Sequence, residues 1–255
     1  MSDQLALDVN VKHPISPKLA EQLGKWTCLY PFFEGPYWQK IKAQLKSDMP
    51  VTTPIVENWF KAFRCTTPEN LKVVWLGMSP YFTVDKYTQK PVADGLAFST
   101  DTRNDVPPSL YKLYKGIEWD LYKGMNLDME RCNKLEWLAE QGVLLLNAAL
   151  TTRYGDSKAH LEIWRPFTDY VIDYLNNNYV DLVFVGFGGH AHEYLKRVDT
   201  GNHKVILPEH PAASAYASRD WEHQNVFSRT NDYLRSKNKQ EILWDKYLVD
   251  MVVPF

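Results

Sequence analysis

The chain has 255 residues, of which 45% are hydrophobic and 24% charged, with a net charge of −2. That is enough apolar material for a packed core, so global disorder is excluded, and no strongly basic footprint marks the whole chain as a nucleic-acid binder. Cys28, Cys65 and Cys132 form no C-x-x-C pair, which excludes a disulfide framework and a four-thiolate cluster and makes a cytoplasmic, reducing setting the default expectation.

The first seventy residues read as a helical layer. Ser16-Pro17 is an N-cap followed by proline at the first helical position, and Gly24 closes that segment. Residues 36–47 and 54–63 are predicted as further helices. The pattern then alternates. Apolar runs at 71–76, 143–146, 182–185 and 205–207 suit buried strands, and amphipathic stretches at 109–122, 164–176, 191–198 and 225–236 suit helices. Near-continuous apolar strands separated by helices imply a parallel sheet covered on both faces. The expected architecture is one α/β domain over residues 1–255. The longest apolar runs fall short of the ~18 residues that a membrane span needs, and the polar Met1-Ser-Asp-Gln start lacks a signal-peptide core.

In open parallel sheets, sites form beyond the carboxyl ends of the strands. Four loops follow the four runs: Gly77-Met78-Ser79-Pro80-Tyr81-Phe82, Asn147-Ala148-Ala149, Gly186-Phe187-Gly188-Gly189-His190 and Glu209-His210-Pro211-Ala212-Ala213-Ser214. They are expected to converge on one pocket. Asn147 offers a donor and an acceptor, so it can read the edge of a base or simply satisfy loop backbone. His210 can donate to a developing anion or serve the structure. Gly188-Gly189 opens a helix whose free N–H groups suit a phosphate oxygen, and Ser109, after Pro107-Pro108, can cap a helix or touch phosphate. His190 and His192 lie on different sides of a helix start, and zinc needs three or four converging ligands, so no metal is expected.

Taken together, these segments resemble the uracil-DNA glycosylase superfamily over about Trp26 to Leu248. The run Gln141-Gly-Val-Leu-Leu-Leu-Asn147 is very similar to a family motif. Val106-Pro-Pro-Ser109 resembles a proline-rich DNA-contacting loop, Gly95-Leu-Ala-Phe-Ser99 a base-stacking segment, and Phe227-Ser-Arg-Thr-Asn-Asp-Tyr-Leu234 the C-terminal helix. The resemblance implies a three-layer α/β/α fold with a central four-stranded, mainly parallel sheet and no cofactor. It also implies a monofunctional glycosylase that acts on a nucleotide flipped out of DNA, leaving an abasic site. By the same resemblance Phe98 stacks on the base, Asn147 reads its edge, His210 bonds the departing base and Tyr81 stands beside the pyrimidine 5-position. Met78 completes the base-binding set. Pro108, Ser109, Gly188 and Gly189 hold the DNA, and a monomer is expected.

Three departures from the family pattern stand out. Where the family has Gly-Gln-Asp-Pro-Tyr-His, this chain has Gly77-Met-Ser-Pro-Tyr-Phe82, so a water-orienting Asp is replaced by Ser79. A hydroxyl holds water but carries no charge, and losing one such group costs on the order of 10²–10³ in rate. The stretch 83–94 is longer than its counterpart and contains Asp85 and Asp94, either of which could supply the carboxylate. In the loop His210-Pro-Ala-Ala-Ser-Ala215 a wedge leucine is replaced by Ser214, for which Tyr216 can substitute. These departures lead to the expectation of an enzyme acting on uracil or a modified pyrimidine, in damaged or modified DNA, duplex or single-stranded. A hypermodified viral base would suit an enlarged pocket and a defence role. The rival expectation is a catalytically inactive DNA-binding or repair accessory module with the same fold.

Overall fold

In the computed structural model, the residues described are 14–102, 106–123, 133–212, 221 and 223–246. The chain starts with helix α1 (Pro17–Leu23). Ser16 Oγ accepts the Leu19 N–H at 3.3 Å, and Gly24, at φ 57°, returns its N–H to Ala20 at 3.0 Å. These are the start and stop signals written in the sequence. Helices α2 (Tyr30–Glu34) and α3 (Pro36–Asp48) follow, α2 without a sequence signal beyond Pro31.

The helix expected over 54–63 is not continuous. A short strand β1 (Thr52–Thr53) leads into a 3-10 turn (Val56–Asn58) and then helix α4 (Lys61–Cys65). Trp59, Phe60 and Phe63 are all buried without one continuous helix. The chain breaks at Phe60 instead, and the Trp59 indole N–H donates back to the Pro54 carbonyl at 3.1 Å.

The sheet follows the apolar runs. Strand β2 (Val73–Gly77) is central, and β3 (Val143–Asn147) pairs parallel to it from Val73↔Val143 to Gly77↔Asn147. After a two-residue strand β4 (Thr152–Arg153), which pairs with β1, the strands β5 (Val183–Gly186) and β6 (Lys204–Ile206) complete the order β3-β2-β5-β6. All three pairings are parallel. Every residue of β2, β3 and β5 is buried, which is why these strands read as continuous rather than alternating apolar runs.

Helices α5 (Pro108–Tyr122), α6 (Glu136–Glu140), α7 (Leu161–Asn178), α8 (Gly189–Leu195) and α9 (Val226–Ser236) complete the outer layers of a three-layer α/β/α fold. Two aromatic clusters fill the core: Phe33, Trp38, Phe60, Trp164 and Phe167, and Trp75, Phe98, Phe187, Phe227 and Trp244. No helix among the described residues is long and apolar enough to cross a membrane.

Candidate active site

Two parallel strands end side by side at Gly77 and Asn147, and the cavity opens there. It encloses about 720 Å³ and is lined by 77–86, Val92, Leu96, Phe98, 106–109, Asn147, Ser157, His210 and Ala212. Thus Met78, Ser79, Tyr81, Phe98, Asn147, His210, Pro108, Ser109 and Asp85 meet around one space. Asp94, Gly188 and Gly189 do not line it.

Asn147 is 6% exposed, and among the described residues no hydrogen bond engages its amide. Its oxygen and nitrogen open to the cavity, where a ligand edge can pair with both. Gly77 makes room for the amide: a Cβ at 77 would lie 2.6 Å from Asn147 Oδ1. The His210 ring lies 5.8 Å from that of Phe98. Its Nδ1 accepts the Ala212 N–H at 3.2 Å, so the neutral ring carries its hydrogen on Nε2. Burial holds the imidazole below its ordinary value, which favours that neutral form. The loop is pinned upstream, where the Pro208 carbonyl accepts from Gly188 N at 3.0 Å and lies 2.8 Å from His192 Nε2.

Phe98 adopts φ 66°, a left-handed conformation that a bulky residue rarely takes. Its surroundings impose it. The Tyr81 hydroxyl donates to the Phe98 carbonyl at 2.9 Å, Ala97 N donates to Leu145 at 2.9 Å, and the ring packs against Phe187 with centroids 4.8 Å apart. Strain of this kind persists only where neighbours over-determine it, and it clusters at functional sites. The same Tyr81 oxygen lies 3.0 Å from Ser109 Oγ, and burial pushes the phenol's pKa up, so it stays a neutral wall of the cavity. Sequence reasoning did not foresee this Tyr81–Ser109 link, and a distance between loops 28 residues apart leaves no local signal.

The two acidic candidates separate. Asp94 has both oxygens engaged away from the cavity: Oδ1 accepts from Leu96 N at 3.0 Å, and Oδ2 from Ser99 Oγ at 2.6 Å and Lys61 Nζ at 3.0 Å. Lys61 also reaches Glu136 at 2.6 Å, and although burial opposes the cation, the two carboxylates raise its pKa. The structure therefore does not place Asp94 where it could swing into the cavity; it braces the loop that carries Phe98. Asp85 is the one carboxylate among the described lining residues. Its Oδ1 accepts from Tyr87 N, Thr88 N and the Thr88 hydroxyl, and the Thr88 backbone and hydroxyl donors hold its carboxyl below the usual range. The Ser79 hydroxyl faces the cavity with no protein partner among the described residues.

Gly188, at φ 81°, backs the histidine, where an added Cβ would lie 3.0 Å from His210 Cβ, while Gly189 is exposed. Ser214 and Tyr216 lie outside the described residues. Ser157 joins the wall from the segment before α7, with nothing in the sequence to announce it. Among the described residues no group of three His, Cys, Asp or Glu could hold a metal ion.

A family model described as the uracil DNA glycosylase superfamily matches residues 65–235. A uracil-DNA glycosylase of Brevibacillus brevis is 37% identical over 215 residues, covering 83% of this chain and 89% of its own. One of Idiomarina loihiensis is 35% identical over 232 residues, covering 91% and 99%. The crystal structure of mimivirus uracil-DNA glycosylase superposes with a TM-score of 0.80 at 28% identity, covering 91% of this chain and 90% of that one. With the strand-end cavity, the family model and relatives that span most of their own length all in agreement, this chain belongs to the uracil-DNA glycosylase superfamily.

Proposed function

We propose that this protein excises uracil from DNA, hydrolysing the N-glycosidic bond of a nucleotide turned out of the stack. The observation that carries the reading is the pairing of an unpartnered Asn147 amide open to the cavity with a neutral His210 whose Nε2 hydrogen is free. Asn147 supplies a donor and an acceptor for the pyrimidine edge, and Phe98 supplies the stacking face. His210 Nε2–H stabilises the negative charge that grows on the departing base, in a site shielded from water. The exposed Pro108 and Gly189 stand near the strand's path, and Ser109 holds Tyr81 in place.

Water and the positive sugar need help that Ser79 gives only in part. Its hydroxyl orients the nucleophile, and the ionised Asp85 contributes the negative potential. Water adds to the sugar carbon as its bond to the base nitrogen breaks, the bonding pair leaves with the base, the water's proton passes to solvent past the Asp85 carboxylate, and no amine takes part. A modified pyrimidine is a second reading, favoured by the extension of the cavity past Tyr81 along 83–86. Against a bulky 5-substituent stands Tyr81 itself, anchored at both Phe98 and Ser109.

The test is a panel of oligonucleotides carrying uracil, hydroxymethylated and glucosylated pyrimidines, probed for alkali-labile sites. Uracil is expected to be released, and Asn147→Ala or His210→Ala to slow it on the order of 10²–10³-fold. Absence of cleavage on every base, with DNA binding retained, would overturn the enzymatic reading and leave a binding module.

A further inference from the structure

Between β2 and the Phe98 loop the chain forms a small hairpin that is part of the cavity wall yet turns apolar side chains to solvent. Val84 and Pro91 meet in an antiparallel bridge, Val92 N donates to Thr83 at 3.0 Å, and Asp85 N donates to Lys90 at 2.8 Å. Asp85 Oδ1 ties the turn through its three donors. The tip is therefore ordered by its own hydrogen bonds rather than by a core. Phe82, Val84 and Tyr87 are 40%, 43% and 63% exposed. Lys86 Nζ lies 4.8 Å from the centre of the Tyr87 ring, and Lys90, on the returning arm of the hairpin, is exposed.

We propose that this hairpin is a nucleic-acid platform, with Tyr87 stacking on a base of the strand whose nucleotide enters the cavity and Lys86 and Lys90 facing its phosphates. The proposal rests on the DNA reading above. Three observations commit the surface to nucleic acid. Thr83, Val84, Asp85 and Lys86 line the cavity, so a strand delivering a nucleotide there passes the hairpin. An exposed aromatic ring beside an ammonium group, with a second exposed lysine on the same hairpin, fits the π-face of any base and the charge of its phosphate. The turn's hydrogen bonds fix the backbone in advance, so less ordering is lost on binding.

The full chain is compared with Tyr87→Ala, Tyr87→Phe and the double variant Lys86→Gln, Lys90→Gln. Anisotropy is read on labelled single-stranded and duplex oligonucleotides that contain no uracil, at several salt concentrations. Tyr87→Ala is expected to weaken single-strand binding about tenfold, and Tyr87→Phe to restore it. The double lysine variant is expected to lower the salt slope by about 1 to 2. Binding by Tyr87→Ala within about twofold of the parent would overturn the platform and leave the apolar tip to a protein partner. The two readings fail separately. A parent that binds these oligonucleotides but releases no uracil from the uracil-bearing panel removes the activity and leaves the platform standing, whereas uracil release from that panel with unchanged Tyr87→Ala binding removes the platform alone.

Discussion

Gly77 and Asn147 are neighbours across two parallel strands, and the absence of a side chain at one position creates the space for the amide at the other. Gly77→Ala would push Asn147 Oδ1 from 2.6 Å contact. Misplacing one recognition group by about an ångström costs on the order of 10² in rate, so kcat/KM on a uracil oligonucleotide is expected to fall by that factor. The far-UV spectrum should stay that of the parent, which separates a displaced amide from an unfolded chain. Tyr81 is a second single-residue test. Tyr81→Phe deletes the donor to the Phe98 carbonyl and the link to Ser109, so a loss of about 1–2 kcal/mol in urea unfolding is expected. The Phe98 backbone, held at φ 66°, loses its restraint as well, and KM should rise more than kcat falls.

At the scale of the element, the loop from Asp94 to Ser99 is fastened to the helical layer by a buried charge network. Lys61 on α4 bridges Asp94 and Glu136, and Ser99 Oγ donates to Asp94 while accepting the Leu135 N–H at 3.0 Å. Removing one partner of a buried pair costs about 3 kcal/mol or more where the other charge is left alone, and because Glu136 still pairs with Lys61 the loss here is expected to stay below that. Asp94→Ala is therefore expected to lower the urea midpoint and to weaken uracil release through disorder of Phe98, whereas Asp94→Asn should keep more of both by retaining the contacts with Ser99 and Leu96. A rate loss in Asp94→Asn that exceeds its stability loss would show a direct chemical role instead. The sequence could identify the two acids of the 83–94 stretch but not their difference. That difference rests on Lys61, distant in sequence, which draws Asp94 away from the cavity, and on Thr88, which leaves Asp85 in its wall.

At the scale of the whole molecule, buried histidines tie stability to pH. His160 is fully buried between Thr151 and Asp48. The Trp164 indole N–H donates to Thr151 Oγ1 at 2.7 Å, leaving the Thr151 hydroxyl to donate to His160 Nδ1 at 2.8 Å and His160 Nε2–H to face Asp48 at 3.1 Å. Burial lowers the pKa of both His160 and His210 from the ordinary 6.5. The unfolded chain then binds more protons than the folded one around and below that value, so stability is full above about pH 6.5 and falls as the pH drops through the lowered folded values. Asp48, held low chiefly by Arg153, adds a further loss only at pH values around and below 3.8. Thermal melts between pH 7.5 and 5 should show a falling midpoint, with a shallower dependence in His160→Gln. DNA affinity belongs to the same scale: despite a net charge of −2, the logarithm of the binding constant is expected to fall linearly with the logarithm of salt concentration, and a flat response would remove the phosphate contacts.

The sheet was legible because strands buried on both faces must be apolar throughout, and the runs ending at Gly77, Asn147 and Gly186 have that composition whatever surrounds them. Helix α1 was legible because its caps are local chemistry, and the family motifs were legible because the strand-end residues lie in short uninterrupted strings. The break at Phe60, the small β1–β4 pair and the helix at Tyr30–Glu34 were not, since each is packed against segments distant in the chain: Phe60 against Trp164, β1 against β4, and Phe32 and Phe33 against Phe167. By itself the sequence determined which residues stand at the ends of the strands. Only the tertiary structure decided that Asp94 braces while Asp85 lines, that Ser109 meets Tyr81, and that Gly188 supports His210 rather than the cavity. Those outcomes depend on distances between segments far apart in the chain, and such distances are set when the layers pack.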